Sequence, residues 1–411
     1  MSLTVSEILA LPGLEDLTLR SGAERLHRPV RWYYVAENEG IADWVMGGEL
    51  VFVTGINHPR DENNLLQLVR EGHQSGIAGL VILTGGPFIH AIPPSVVTLA
   101  DRLGIPLIEQ PYLLKMIIVT QRIGTALAQR ETTLRSQRDI LSQLLTGDYP
   151  SLDIASQRAS HLQLMLDRPH RVVAMRLSAI KTLFETHPPT AAEAQLQSAR
   201  QLVQQRLEEQ LAKLGDTLPL VMLGDMFILL LPNDTMPFHH GKKWLQNVQS
   251  ALGAPLRPLT LFSGISSIVS AAPHYRSALS EARRALDVAE SMRPDKGICD
   301  YNELGVLKLL TAIPDQNLVT QFMKETLGHL FEARRKKPTQ LLETLDAVLQ
   351  ENGNLIKAAE RLGIHRNTLN LRLQRIEQQS GQSISDPQFR LNATVALLIW
   401  RMSNAQQQEF L

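Results

Sequence analysis

Between Leu341 and Ile376 the sequence leaves a chain little choice, because three apolar periodicities of helical spacing are separated by two glycines. Leu341, Leu342, Leu345, Val348 and Leu349 share one helical face, and Gly353 closes that helix in the left-handed conformation that glycine adopts without steric cost. Asn354 caps the next helix, whose apolar side is Leu355, Ala358, Ala359 and Leu362. The two adjacent alanines admit the close crossing of another helix. Gly363 ends this second helix, and a short turn leads into Arg366 to Ile376, where Leu369, Leu373 and Ile376 must face the core.

The opposite face is then fixed. At about 100° per residue, Asn367, Asn370, Leu371, Gln374 and Arg375 project outward, with Thr368 at the margin and His365 and Arg366 at the amino-terminal tip. Asn and Gln pair bidentately with adenine, Arg pairs with guanine, and a leucine can touch a thymine methyl. The spacing therefore predicts a helix-turn-helix over residues 354–377 that reads duplex DNA. The whole chain is neutral, with Lys+Arg 41 against Asp+Glu 41, so no overall basic field draws it to nucleic acid. Locally the balance differs: Lys357, Arg361, Arg366, Arg372 and Arg375 stand against Glu360 alone, a net +4 that phosphates would feel. The bland alternative is a helical hairpin with a solvated polar face, and an exposed leucine among amides and arginines argues against it. The residues expected at DNA are thus His365, Arg366, Asn367, Thr368, Asn370, Leu371, Arg372, Gln374, Arg375 and, for phosphate, Lys357.

The 411 residues, 44% of them apolar, suffice for several domains, and the expected fold class is multidomain, α/β then α+β then all-α. Residues 1–112 alternate short apolar runs with helix-compatible stretches: Leu50 to Val53, Leu65 to Glu71, Gly79 to Leu83, Ser95 to Leu103 and Pro106 to Glu109. This predicts an α/β sensor whose ligand sits at the carboxyl ends of the strands. Residues 113–150 predict a linker or dimerisation helix, with Leu127, Leu134 and Leu141 seven apart and Ile123 and Leu144 beside them; a core-packed amphipathic helix is the alternative. Residues 165–295 read strand, helix, hairpin, helix, strand, helix, an α+β order. Residues 300–411 predict a helical domain, closed by a helix that opens at Asp386-Pro387 and carries Phe389, Leu391, Val395, Leu398 and Ile399 as its bracing face.

The middle hairpin, LGDMFILLLP from Leu223, resembles the signature hairpin of the GGDEF diguanylate cyclase fold. That resemblance places Leu223 where the first glycine belongs and Met226 where an acidic residue would bind metal. A thioether cannot replace a carboxylate at a hard cation, so the fold is expected without the cyclase chemistry. Nucleotide binding by this GGDEF-like domain, in a signalling role, is the alternative function. Other enzyme signals fail. His239-His240 lacks a spaced third ligand, Thr84-Gly85-Gly86 lacks the ending of a phosphate loop, and Cys299 has no neighbouring histidine. The expectation is no enzyme, no metal and no cofactor. The basic run Arg334 to Lys337 reads as a solvated helix end. A lone cysteine, no apolar run of about 18 residues and no basic, apolar leader fit a cytoplasmic protein without membrane contact.

NLIKAAERLGIHRNTLNLRLQRIEQQSG, from Asn354, looks like the carboxyl-terminal helix-turn-helix of PucR/CdaR-type bacterial transcription regulators. Upstream, Arg28-Pro29-Val30, Trp44, Gly47-Gly48-Glu49-Leu50 and Thr54-Gly55 are similar to the PucR sensor pattern, and the GGDEF-like hairpin matches that family's middle domain. Asn370-Leu371 departs from the family, which more often has a basic residue followed by an aromatic one, so the operator sequence does not carry across. The resemblance implies a transcription regulator, often an activator of purine or related nitrogen-compound catabolism, whose partners are a double-stranded DNA operator, a small-molecule effector such as a purine-related metabolite and, for an activator, RNA polymerase. Two helix-turn-helix units reach successive major grooves about 34 Å apart when paired, so a homodimer or higher homo-oligomer is expected. Trp32, Tyr34, Trp44, Glu49, Thr54 and Gly55 could supply stacking surface, a carboxylate and backbone amides to the effector. Each also has a structural reading, Trp44 as a core side chain and Glu49 as the cap of a turn.

Overall fold

The computed structural model describes residues 3–215, 217–233, 238–292, 297–331 and 339–410. It separates into two compact units, Met1–Asp139 and Ile140–Leu411.

The first unit is α/β. In chain order it contains α1 (Val5–Leu9), β1 (Thr18–Ser21), β2 (Trp32–Ala36), β3 (Glu49–Val53), α2 (Glu62–Ser75), β4 (Gly79–Thr84), α3 (Pro94–Leu103), β5 (Leu107–Pro111) and the start of α4 (Met116–Thr146). The sheet order is β1-β5-β4-β3-β2, parallel from β5 to β2 with β1 antiparallel at the edge. Pleating sends Val51, Val53, Leu80, Ile82 and Leu107 to one face, where Leu65, Leu68 and Val69 of α2 and Val96, Leu99 and Ala100 of α3 cover them. Leu50, Phe52, Val81 and Ile108 take the other face, against α1 and Val119, Ile123 and Leu127 of α4. The near-continuous apolar runs of β3 and β4 follow from burial on both faces. Asp61 caps α2 through the Asn64 amide, and Gly76 and Gly104 end α2 and α3 in the left-handed conformation.

The apolar stripe of α4 divides where the units divide. Ile123 and Leu127 belong to the first core, while Ile140, Leu141, Leu144 and Leu145 belong to a core of the second, with Leu134 only partly covered between them. Burial in two separate cores explains why the leucines recur without an uninterrupted heptad seam.

The second unit continues with α5 (Leu152–His161), β6 (His170–Ser178), α6 (Ile180–Thr186), α7 (Pro189–Ala212), β7 (Val221–Leu223), β8 (Met226–Pro232), α8 (Phe238–Leu256), β9 (Thr260–Val269), α9 (Tyr275–Met292) and β10 (Ile298–Asp300). Its sheet order is β10-β9-β6-β8-β7. One face packs on α7 and α8, the other on α9 and the end of α4. The strand expected at Leu259 to Ser263 runs on to Val269, because Ile265 and Val269 keep facing the cores past the polar Ser263 and Ser266, both fully buried. At Gly264 the backbones of β9 and α9 meet: a Cβ there would lie 2.1 Å from the Ala282 carbonyl oxygen. Arg171 and the fully buried Asp300 form an ion pair at 3.0 Å that links β6 to the end of β10.

The carboxyl-terminal part is helical: α10 (Leu307–Leu310), α11 (Gln316–Phe331), α12 (Thr339–Gln350), α13 (Leu355–Leu362), α14 (Arg366–Ser380) and α15 (Pro387–Phe410). Its core joins Leu327, Leu342, Leu345, Val348, Ala358, Leu369, Ile376, Phe389, Ala393 and Ile399. Leu391, expected on the bracing face of α15, is instead 59% exposed, since Phe389, Ala393, Ala396 and Leu397 occupy the covered side. Leu398 and Met402, on the next side of α15, pack against the core that holds α9, so one helix serves both cores of this unit. The run Arg334 to Lys337 lies outside the described residues, as do the side chains of His239 and His240. Among the described residues no helix is long and apolar enough to cross a membrane.

Candidate nucleic-acid interface

Two caps and two glycines set the geometry of α13 and α14. Asn354 Oδ1 accepts from the Ile356 and Lys357 amides at 3.1 and 3.2 Å, which starts α13 immediately after Gly353 at φ +84°. Gly363, at φ +63°, ends it, and the Ile364 amide returns to the Ala359 carbonyl at 3.1 Å. His365 then caps α14: its Nδ1 accepts from the Asn367 amide at 3.3 Å, which leaves the proton on Nε2. Ala358 and Ala359 are buried, and the small side chains let α13 cross its neighbours closely.

With Leu369, Leu373 and Ile376 buried, the other side of α14 is open. Arg366, Asn367, Thr368, Gln374 and Arg375 are exposed, Leu371 is 66% exposed, and Asn370 is half-buried at the edge of the same face. His365 is exposed at the tip, and Lys357 is exposed on α13. Arg372 sits differently. It is half-buried and reaches back to Thr344 Oγ1 on α12 at 3.4 Å, the outer limit of a hydrogen bond, so its guanidinium braces the helix pair from beneath the open face. Arg361 pairs with Glu351 at 3.2 Å, which partly neutralises one of the five cations. Glu351 lies three residues before Asn354, outside the segment that carries the net +4. Arg401 of α15 is ion-paired with Asp346 of α12, fixing the brace behind the pair.

The effector candidates do not converge. Trp32 and Glu49 stand opposite each other at the amino ends of β2 and β3, whereas Thr54 and Gly55 follow the carboxyl end of β3. Five residue steps from Glu49 to Thr54, at about 3.3 Å each, put roughly 16 Å between these positions. Glu49 caps a turn, accepting from the Met46 and Gly47 amides at 3.0 and 2.8 Å. Trp44 is 59% exposed and so is not a core side chain, and Trp32, 51% exposed, stacks on Tyr33 at 5.5 Å. Tyr34 is half-buried along β2. Thr54 accepts from the Ile56 amide, and Gly55, at φ +74°, packs under Phe88 and Ile89. The carboxyl ends of β4 and β5 hold polar groups that local patterning missed: Thr84 Oγ1 donates to Glu109 Oε1 at 2.5 Å, and Arg20 pairs with Glu109.

At the middle hairpin, Met226 is buried and lies in register with Arg176 of β6. Arg176 donates to Glu290 and, at 3.0 Å, to Asp287, and these carboxylates raise its pKa above the ordinary arginine value. A cavity of about 550 Å³ beside the hairpin is lined by Arg176, Gly224, Asp225, Met226, Arg283 and Asp287. Where a carboxylate set could hold a divalent cation, a guanidinium already sits among the acids. Cys299 is buried in β10, without the exposure that a nucleophile needs.

Residues 7–127 match the Purine catabolism regulatory protein-like family, residues 146–288 the GGDEF-like domain, and residues 341–399 the PucR C-terminal helix-turn-helix domain. The chain is 25% identical over 278 residues to the Purine catabolism regulatory protein of Bacillus subtilis, covering 67% of this chain and 50% of that one. It is 27% identical over 145 residues, 35% of either chain, to the Proline-responsive transcriptional activator PutR of the same organism. It is also 28% identical over 185 residues to its DNA-binding transcriptional activator AdeR, covering 42% of this chain and 43% of that protein. Each match spans half or less of the relative's own length.

Proposed function

We propose that this chain, which belongs to the PucR-type family of helix-turn-helix transcription regulators, binds a specific operator in duplex DNA through α14 and does so in response to a small metabolite. The observation that carries the reading is the division of α14: Leu369, Leu373 and Ile376 are buried while Asn367, Leu371, Gln374 and Arg375 stand in solvent on the other side. Lys357 adds a phosphate contact from α13, and a cytoplasmic homodimer would set two such helices in successive major grooves. The names of the similar regulators, for purine catabolism and for a proline response, favour a small nitrogen-containing effector, purine-related in the first case, and the activator names favour recruitment of RNA polymerase. The amino-terminal α/β domain is the place for that effector. An effector that prefers one arrangement of the paired DNA-binding units over another would shift the regulator between states.

The test is selection of genomic fragments by the full chain, followed by variants. Asn370→Ala and Arg375→Ala are expected to relax preference at particular base pairs by about 1–3 kcal/mol each, whereas Lys357→Ala weakens binding evenly across sequences. An unchanged binding profile for all three rejects α14 as the reader.

A further inference from the structure

We infer that Arg390 of α15 is a phosphate-binding residue, forming with Lys357 a two-point clamp on the DNA backbone at the turn where α13 begins. This rests on the DNA-binding reading above. The position follows from the turn at Gly353. A Cβ on that glycine would lie 3.9 Å from Arg390 Nη1, 3.9 Å from Nη2 and 4.0 Å from Cζ. A point nearly equidistant from three atoms of a planar fork lies over the plane, so the guanidinium turns its face to Gly353 and leaves its in-plane N–H donors to the side. At these distances a side chain on residue 353 would only touch the guanidinium, so glycine is required there for its φ of +84° and not for space. Among the described residues no carboxylate pairs with Arg390, in contrast to Arg361 and Arg401, which are paired with Glu351 and Asp346. The side chain is half-buried, its stem held by a helix whose neighbouring Phe389 is in the core.

The chemistry fits a phosphate better than a base. Arg390 comes from the bracing helix and not from the open face of α14, and it flanks the start of α13, one turn from the exposed Lys357. A pre-placed planar fork with free donors matches two oxygens of a phosphodiester, while lysine contributes a point charge. Two cations from two helices on one turn would fix how α13 sits on the sugar–phosphate backbone. That contact would position α14 without carrying sequence information.

The experiment measures binding of the full chain to a genomic fragment it selects and to a scrambled duplex of equal length, across a salt series. Arg390→Ala is expected to lower affinity for both duplexes by the same several-fold factor. It should also reduce the magnitude of the slope of log K against log salt by about 0.9 for each chain bound. Arg390→Lys should restore the slope and only part of the affinity, and the unfolding midpoint of either variant should stay near that of the parent. An unchanged slope in Arg390→Ala, while the parent chain still discriminates the two duplexes, overturns this inference alone. So does an unchanged slope accompanied by a fall in the unfolding midpoint, which would make Arg390 a pin for the turn. A parent chain that retains neither duplex overturns this inference together with the function on which it rests.

Discussion

The hairpin turn at Gly224-Asp225 and the helix turn from Gly363 to His365 both set a motif beyond a glycine, and they differ in what the neighbouring side chains are used for. At the hairpin, Met226 is buried in the sheet and Arg176, its partner in register, is occupied by Glu290 and Asp287, so the positions that could carry chemistry also hold the domain together. At the helix turn the two duties fall on different residues. Leu369, Leu373 and Ile376 hold α14 in its core, and Asn367, Leu371, Gln374 and Arg375 stand exposed on the other side, with no side-chain hydrogen bond or ion pair among the described residues. A site can thus keep its fold and lose its chemistry when one set of residues does both, and it stays free to change specificity when two sets share the work.

The largest expected effect sharpens the first half of that contrast. Gly264→Ala puts a methyl 2.1 Å from the Ala282 carbonyl oxygen and 2.2 Å from the Leu286 amide nitrogen, both backbone atoms of α9 that cannot rotate away. The expected cost is more than about 4 kcal/mol, read as a fall in the denaturant midpoint or as failure to fold. A loss below about 1 kcal/mol would show that β9 and α9 can separate and that the middle domain is less tightly fixed than its hairpin implies.

Arg171→Ala comes next, at about 3 kcal/mol, because it strands the fully buried Asp300 carboxylate. Burial already pushes the Asp300 pKa up, against the Asn302 amide and Arg171, which both pull it down. Without Arg171 it rises further. A carboxyl whose pKa is higher folded than unfolded costs stability while it is ionised, and the cost disappears once it is protonated. The deficit of Arg171→Ala should therefore shrink as pH falls toward the ordinary carboxylate value of about 4. Denaturant titrations of both proteins at several pH values check this, and a deficit independent of pH would mean that Asp300 is not the group left exposed to the loss.

These two sites also show what local patterning can and cannot reach. The helices α12 to α14 were legible from their apolar spacing, their terminating glycines and the Asn354 cap, which lie within a few positions of one another, whereas the cap that His365 makes on α14 was not. The Arg171 and Asp300 pair spans 129 positions, and no periodicity announces it. Strand β2 was missed for another reason: WYYVA lies at an edge, buries only Ala36 fully and leaves its aromatic rings exposed or half-buried, and two of those rings, Trp32 and Tyr34, were read as ligand-stacking surface. Without β2, Trp32 and Glu49 could not be seen to share the amino end of the sheet, and six effector candidates looked like one site. Arg372 was placed at the DNA on its charge, and Thr344, two helices back on α12, draws it inward. The carboxylate at Glu109 escaped notice because its partners, Arg20 and Thr84, come from two other strands.

The smallest effect bears on the second half of the contrast, the claim that the open face of α14 does no work for the fold. Leu371 is 66% exposed, so Leu371→Ala should change stability by less than about 0.5 kcal/mol. If its side chain meets a thymine methyl, the contact is worth on the order of one buried methyl, about 0.8 kcal/mol, or roughly fourfold in affinity. Replacing each thymine of a selected fragment by uracil, one at a time, deletes that methyl from the other side. At one position the parent chain should lose about fourfold, and Leu371→Ala should lose nothing further there, because the pair of changes removes a single contact. Indifference of the parent to every such replacement, or full additivity at all positions, would leave Leu371 as an unpartnered surface leucine and return the open face to its bland reading.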